Sequence, residues 1–287
     1  MKNSEIITKR LAKYSNLKNN LVKNNISFKD HLFFFDIDFD KNDRKLIRQK
    51  VNDYLIASVN KFFKKKFKKN SKFDSYKKYL IDLPNITPNG VIKVKKENFR
   101  EYLIIQKYIY KILKKFGILN NIKLAEFVEV RLMRSTKYKY NSKRPYSSSK
   151  IHSDSWSGNP CDAKLALYIC GDKDNTIQFY SPKKIDINFF KKKINYETAI
   201  KKYGFNKIKK FNPKKLIIFD QITLHKTLNF NKGLRVSIDF GIMINKNFKK
   251  SSFSDRYKNN FFDPSKSKNF MNLYKYQLNS IFDKKFI

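Results

Sequence analysis

A histidine and an aspartate two residues apart, with a second histidine far along the chain, form the pattern that most constrains this sequence. His152 and Asp154 lie in the segment 151–160, and His225 follows 73 residues later. Residues i and i+2 of an extended strand point to the same face, so His152 and Asp154 can bind one ion between them. A site completed by His225 then takes its donor atoms from two strands that are distant in the sequence.

The residue types in this set indicate which metal the site would bind. Two imidazoles and one carboxylate are the facial triad of non-haem Fe(II) oxygenases, which leaves octahedral positions open for a co-substrate and O₂. These donors suit Fe(II) better than a structural zinc ion, which favours thiolates. Arg235 follows His225 by ten residues. Each residue alone is more typical of a hydrogen-bonded core or loop position, whereas the four together favour iron chemistry.

The pattern of apolar residues changes from helical to alternating near residue 120. Residues 1–30 and the segments 44–69 and 97–116 have helical spacing, with a short strand-like run at 32–39, and Gly117 stands where a helix-ending glycine is expected. Strand-like runs follow at 126–134, 163–170, 175–180, 215–219, 222–227 and 234–244. Many short strands with turn signals between them predict a mainly β fold with flanking helices, built on a double-stranded β-helix (a jelly-roll, cupin-like core).

This pattern predicts a single domain over residues 1–287. Residues 1–120 are expected to form a helical support, and residues 121–245 the jelly-roll core with a helical insert at 186–203. Residues 246–287 return to a Lys, Asn and Phe composition and are expected to form a tail.

The net charge of +40 favours a polyanionic partner at first sight. The excess is almost all lysine, however, and it accompanies many Asn, Ile, Phe and Tyr residues, which share A/T-rich codons. The segment 61–69 interleaves lysines with phenylalanines, a pattern typical of single-strand binding but equally of a helix with an apolar face. Codon bias and packing explain both observations, so nucleic acid is not expected as a partner.

The remaining composition predicts a cytoplasmic protein. Cys161 and Cys170 are too few for a disulfide framework and are expected to be inert. No apolar run is long enough to span a membrane, and the first residues lack the apolar segment of a secretory signal.

Over residues 128–244 the chain resembles the Fe(II)/2-oxoglutarate-dependent dioxygenase superfamily, and it is most similar to the phytanoyl-CoA-hydroxylase-like branch. The iron motif of that family is matched by His152, Asp154 and His225. Its co-substrate arginine is matched by Arg235, which the resemblance implies would pair with the distal carboxylate of 2-oxoglutarate.

Further residues are candidates for contacts with the co-substrate or the substrate. Ser237 and Thr227 each stand two residues after a motif residue, Arg235 and His225 respectively, so their hydroxyls are expected to face the co-substrate. Three others are candidate contacts: Arg131 for the co-substrate or an acidic substrate, and Arg134 and Trp156 for the substrate, with Trp156 expected at the pocket mouth. The loop 135–150 is a candidate lid.

The resemblance implies an enzyme that uses Fe(II), 2-oxoglutarate and O₂ and releases succinate and CO₂. Because Asp154 is present, hydroxylation is expected and chlorination is not, since halogenating relatives lack this carboxylate. The expected substrate is a small molecule, such as a metabolite or a sugar or lipid precursor, and the positive charge of the protein would attract an anionic one. Two alternatives stay open: an oxygenase that acts on a protein or nucleic acid, and a non-catalytic cupin-like binding module.

Overall fold

Two antiparallel β-sheets carry the residues singled out above. The computed structural model describes residues 25–29, 32–38, 40–87, 89–134, 150–157, 159–190, 195–228, 233–244 and 261–264, together with Glu5, Thr8, Lys9, 12–15 and Leu17. The helices of this part are α1 (Lys41–Phe63), α2 (Phe73–Leu80), α3 (Phe99–Lys115) and α4 (Tyr196–Tyr203). The strands are β1 (Asn25–Lys29), β2 (Leu32–Asp38), β3 (Leu124–Glu126), β4 (Glu129–Arg134), β5 (Ala163–Gly171), β6 (Thr176–Ser181), β7 (Asn206–Lys210), β8 (Lys215–Asp220), β9 (Leu224–Leu228), β10 (Leu234–Met243) and β11 (Phe261–Phe262).

The chain alternates between the two sheets. The large sheet has the order β1-β2-β8-β5-β10, and β10 then pairs with both β3 and β4, while β11 pairs with β3. The small sheet has the order β7-β6-β9, and a bridge between His152 and His225 extends it at β9. From β4 onward the path crosses repeatedly between the sheets: β5, β8 and β10 belong to the large sheet, and the intervening β6, β7 and β9 belong to the small sheet.

The two faces of the large sheet pack against different parts of the protein. On one face, even-numbered residues of β10 such as Val236 and Ile238 pack in one core with residues of α1 and α3. The other face, which we call the inner face, turns toward the small sheet: Phe219 of β8 meets Phe179 of β6, with ring centroids 5.0 Å apart. Because side chains alternate along a strand, odd-numbered residues of β10, including Arg235, lie on the inner face.

The mainly β fold with flanking helices is confirmed, and most predicted elements are present. The helix predicted at 97–116 corresponds to α3, and Gly117 follows it with a positive φ of 69°. The predicted insert contains α4 and a 3₁₀ turn, Ile187–Phe190. Of the predicted tail, the structure describes residues 261–264, where β11 pairs with β3.

Two predictions in the N-terminal region are wrong. The helix predicted at 44–69 ends at Phe63, because Lys64 adopts a left-handed φ of 51° and the Asn60 side chain bonds both main-chain groups of Phe67. The helical expectation for residues 1–30 fails at residues 25–29, which form β1 and pair with β2, whereas β2 matches the strand-like run at 32–39 and joins β8 of the large sheet. Residues 25–29 alternate between polar and apolar, but the helical spacing of the residues before them led to the prediction of a helix.

The packing interpretation of the segment 61–69 fits the structure. Phe62, Phe63 and Phe67 pack against the core that contains α1, while the lysines of the segment are exposed. Among the described helices, none has the length and apolar character needed to cross a membrane.

Candidate metal centre

A pair of main-chain hydrogen bonds places the two histidines side by side. The His152 N–H donates to the His225 carbonyl at 3.0 Å, and the His225 N–H donates to the His152 carbonyl at 2.8 Å. Residues paired in this way across two antiparallel strands project their side chains to the same face. The imidazole centroids consequently lie 4.4 Å apart.

Asp154 completes the group through a turn and not through an extended strand. It begins a 3₁₀ turn, Asp154–Ser157, so the expectation that His152 and Asp154 share the face of one strand is wrong in its detail. The turn is anchored by the Ser153 hydroxyl and the Ser155 N–H, which both donate to the Gln221 carbonyl. Oδ1 of Asp154 lies 3.8 Å from Nε2 of His152, and Oδ2 of Asp154 lies 3.8 Å from Nε2 of His225.

These three side chains could hold one metal ion. One donor atom from each of His152, Asp154 and His225 lies within 4.8 Å of the other two, and all three residues are largely buried. Two nitrogens and one oxygen at this separation fit a single divalent ion with part of its coordination sphere open.

The histidines are held with Nε2 directed at the centre. Nδ1 of His152 lies 2.8 Å from the Lys150 carbonyl, and Nδ1 of His225 lies 3.0 Å from the Thr223 carbonyl. A carbonyl can only accept, so each Nδ1 carries the proton and each Nε2 keeps a lone pair for a metal. Burial, followed by the neighbouring His225 imidazole, lowers the pKa of His152 to about 3, which keeps its ring neutral.

A chain of charged side chains continues from Asp154 across the inner face. The Lys164 ammonium lies 3.0 Å from Oδ2 of Asp154 and 3.9 Å from Oδ2 of Asp239. Asp239 also accepts from Arg131, at 3.0 and 3.1 Å, and Arg131 pairs with Glu129 at 2.7 Å. Burial by itself would raise the pKa of Asp154, but the Lys164 ammonium and the two neighbouring imidazoles together outweigh burial and hold this pKa well below its usual range.

The structure also locates the candidate co-substrate residues. Arg235 is 3% exposed, and its guanidinium donates to the Asn175 carbonyl at 3.0 Å. Ser237 follows on the inner face of β10, and Thr227 lies two residues after His225 on β9; both are buried. Arg131 is opposite Ser237 on β4, but its guanidinium is already engaged by two carboxylates.

Trp156 is packed in the protein interior and does not reach the surface, where a pocket mouth was expected. Its side chain is 1% exposed, its Nε1–H donates to the Phe189 carbonyl, and its ring packs against Phe189 and Tyr196. The second substrate candidate, Arg134, belongs to β4, but its side chain is outside the described residues, as are residues 135–149 of the candidate lid.

Sequence reasoning missed Lys164, Asp239 and Glu129. Each is a charged residue within a strand whose alternate residues are buried and apolar, and that alternation was visible in the sequence. A charge on the inner side of such a strand is costly unless it is paired, so it indicates a polar cavity. The pairing partners themselves required the register of β4, β10 and β5.

Comparisons with known proteins give distant structural likenesses only. No protein-family model matches the chain, and no curated protein matches its sequence. Among solved structures, the non-heme alpha ketoglutarate dependent carbocyclase SnoK from nogalamycin biosynthesis has 7% identity and a TM-score of 0.42, over 73% of this chain and 79% of that chain. The non-heme alpha ketoglutarate dependent epimerase SnoN, also from nogalamycin biosynthesis, has 9% identity and a TM-score of 0.36, over 84% of this chain and 83% of that chain.

A third likeness is to an N-substituted L-amino acid dioxygenase from Burkholderia ambifaria AMMD, with 11% identity and a TM-score of 0.34, over 83% of this chain and 91% of that chain. All three TM-scores are below 0.5, so these likenesses assign neither an activity nor a substrate to this chain.

Proposed function

We propose that this chain is an Fe(II)- and 2-oxoglutarate-dependent oxygenase that hydroxylates an unactivated C–H bond of a small molecule. The observation that carries the proposal is the convergence of two buried imidazoles and one carboxylate, from His152, His225 and Asp154, on one point. The donor set fits a ferrous ion, because it combines borderline nitrogens with a hard oxygen and leaves positions for other ligands. When bound, the ion, 2-oxoglutarate and O₂ would supply the oxidising power, with release of succinate and CO₂.

The fold supports the proposal through its connectivity. Repeated crossing between two antiparallel sheets from β4 to β10 is typical of a double-stranded β-helix, so it supports the jelly-roll core expected from the sequence. In this path the metal-binding candidates belong to the small-sheet side, while Arg235 and Ser237 belong to the facing inner side of the large sheet. A cavity between the sheets would thus contain both groups.

Arg235 is the proposed partner of the distal carboxylate of 2-oxoglutarate. Asp239 is linked to Asp154 through Lys164, and Arg235 lies four residues earlier on the same strand face. Four residues of a strand span about 13 Å, which an arginine side chain and a five-carbon dicarboxylate can bridge together. Ser237, between Arg235 and Asp239, and Thr227 on the opposite sheet would then donate their hydroxyls to the bound co-substrate.

The walls of the cavity would keep water from the reacting atoms. The rings of Phe219 and Phe179 lie 5.6 and 6.3 Å from the His225 imidazole, measured between centroids. An apolar wall beside the metal ligands strengthens the electrostatic interactions of the site and limits side reactions. The proposed substrate is a metabolite or a sugar or lipid precursor, and we place the reaction in the cytoplasm.

The proposal is tested by anaerobic titration of the purified protein with Fe(II) and 2-oxoglutarate. The expected result is a weak visible charge-transfer band that requires both additions, followed by succinate release when O₂ is admitted. A non-catalytic cupin-like module is the second candidate, because the same sheets would suit it. It would give neither band nor succinate, and that outcome would refute the oxygenase assignment.

Arg235→Ala is expected to weaken 2-oxoglutarate binding roughly 10- to 100-fold, since a hydrogen-bonded charged pair contributes about 1.5–3 kcal/mol. Binding of Co(II), used as a spectroscopic substitute for Fe(II), should change little. The dissociation constants come from titration of the visible bands. Arg48→Ala is a suitable control, because Arg48 belongs to α1 and lies over the Tyr168 ring. Equal 2-oxoglutarate affinity in Arg235→Ala and wild type would contradict the role of Arg235.

A further inference from the structure

The three donor side chains of the candidate metal centre are held in different ways. Each imidazole is fixed by a main-chain carbonyl, through Nδ1. The Asp154 carboxylate, which starts a short turn, is instead held by a side chain: Oδ2 lies 3.0 Å from the Lys164 ammonium. Lys164 belongs to β5 of the large sheet, whereas the two histidines are bridged at the edge of the small sheet.

Lys164 is itself firmly held in this position. Its side chain is 11% exposed, and Asp239 provides a second carboxylate at 3.9 Å. Asp239 is in turn bonded by Arg131 from the neighbouring strand β4. A buried ammonium is stable only when it is paired, so this network keeps the Lys164 charge next to Asp154.

The number of oxygens that Asp154 gives to the metal decides how many positions remain. Two imidazoles and one carboxylate oxygen leave three positions of an octahedral ion, which is the number needed by a two-point ligand such as 2-oxoglutarate together with O₂. If both oxygens of Asp154 bound the ion, one of these positions would be lost. The Lys164 ammonium competes for Oδ2, because it engages the lone pairs and the charge of that atom.

We propose that Lys164 is a positioning residue that restricts Asp154 to one metal-binding oxygen and so keeps a position open for the co-substrate. This inference rests on the proposed function. Electrostatics point in the same direction, since a nearby cation repels a divalent ion and attracts an anionic ligand. Loss of Lys164 should therefore leave the affinity for the metal equal or higher and lower the affinity for 2-oxoglutarate.

The experiment measures Co(II) and then 2-oxoglutarate affinity of the full-length protein, after dialysis against a chelator, by visible absorption. Lys164→Met is expected to bind Co(II) as tightly as wild type or more tightly, and to bind 2-oxoglutarate at least about 10-fold more weakly. Lys164→Arg, which keeps the charge, should restore most of the 2-oxoglutarate affinity. If the role of Lys164 were purely structural, Lys164→Met would bind both Co(II) and 2-oxoglutarate more weakly, and that result would overturn the proposal.

The control is Lys209→Met, because Lys209 is a partly buried lysine of β7 that pairs with Asp36 of β2 at 2.7 Å. It should leave both affinities within about twofold of wild type. Thermal unfolding without metal checks that each variant is folded, and Lys164→Gln replaces Lys164→Met if the latter is not. Wild-type protein without a saturable Co(II) band would refute the proposed function, whereas unchanged 2-oxoglutarate affinity in a folded Lys164 variant would refute this inference alone.

Discussion

Replacing Asp154 with alanine is expected to weaken Co(II) or Fe(II) binding by more than about 100-fold, beyond the 10- to 100-fold typical of residues that only support metal ligands. Asp154 provides the only anionic oxygen of the triad, and it offsets the Lys164 charge 3.0 Å away. Without Asp154, an incoming ion would meet two imidazoles and an ammonium but no negative charge from the triad. The loss should therefore exceed that of His152→Ala or His225→Ala. Titration of the visible Co(II) bands measures all three.

A double variant separates loss of the ligand from loss of the fold. Removing one partner of a buried ion pair costs about 3 kcal/mol or more of unfolding free energy, because the other charge stays buried. Asp154→Ala is thus expected to lower thermal stability, and adding Lys164→Met should restore much of that stability without restoring tight metal binding. Asp36→Ala, which breaks the pair with Lys209, serves as the control with unchanged metal affinity. Tight Co(II) binding by Asp154→Ala would exclude Asp154 as a ligand.

The strands and the set of candidate ligands were readable from the sequence because both depend on local spacing. The strand-like runs at 163–170 and 234–244 closely match β5 and β10, and the His-x-Asp pattern with the distal histidine identified the residues that converge. The turn at Asp154 was not readable, since it depends on the Gln221 carbonyl far along the chain.

The charged network shows the limit of sequence reasoning more clearly. The role expected for Arg131 was contact with an anionic ligand, but its guanidinium pairs with Glu129, two residues earlier on β4, and with Asp239, which the register of β4 against β10 brings within reach. Lys164, which drew no attention in the sequence, is the cation that contacts Asp154. Pairing between distant strands decides which of several lysines and arginines meets the site, and composition carries no information about that pairing.

Gly171→Ala is expected to lower the unfolding free energy by at least about 3 kcal/mol, because conformational strain and overpacking each cost roughly 1–3 kcal/mol. Gly171 ends β5 with a φ of 99°, and an added Cβ would lie 2.0 Å from the Leu234 carbonyl oxygen. That oxygen is main chain and accepts from the Asp172 N–H at 2.8 Å, so it cannot move aside without breaking the end of the β5–β10 pairing. Denaturant unfolding without added metal measures the change.

The matched control is Gly117→Ala at the end of α3, where the glycine also has a positive φ, of 69°. The left-handed conformation alone costs an alanine about 1–2 kcal/mol, so this variant should be clearly more stable than Gly171→Ala. Because Gly171 is paired with Arg235, its replacement should also weaken 2-oxoglutarate binding, whereas Gly117→Ala should not. Equal stability of the two variants would mean that the close approach of β5 to Leu234 is not a constraint on the fold. Lost stability with intact 2-oxoglutarate affinity would separate that constraint from the position of Arg235.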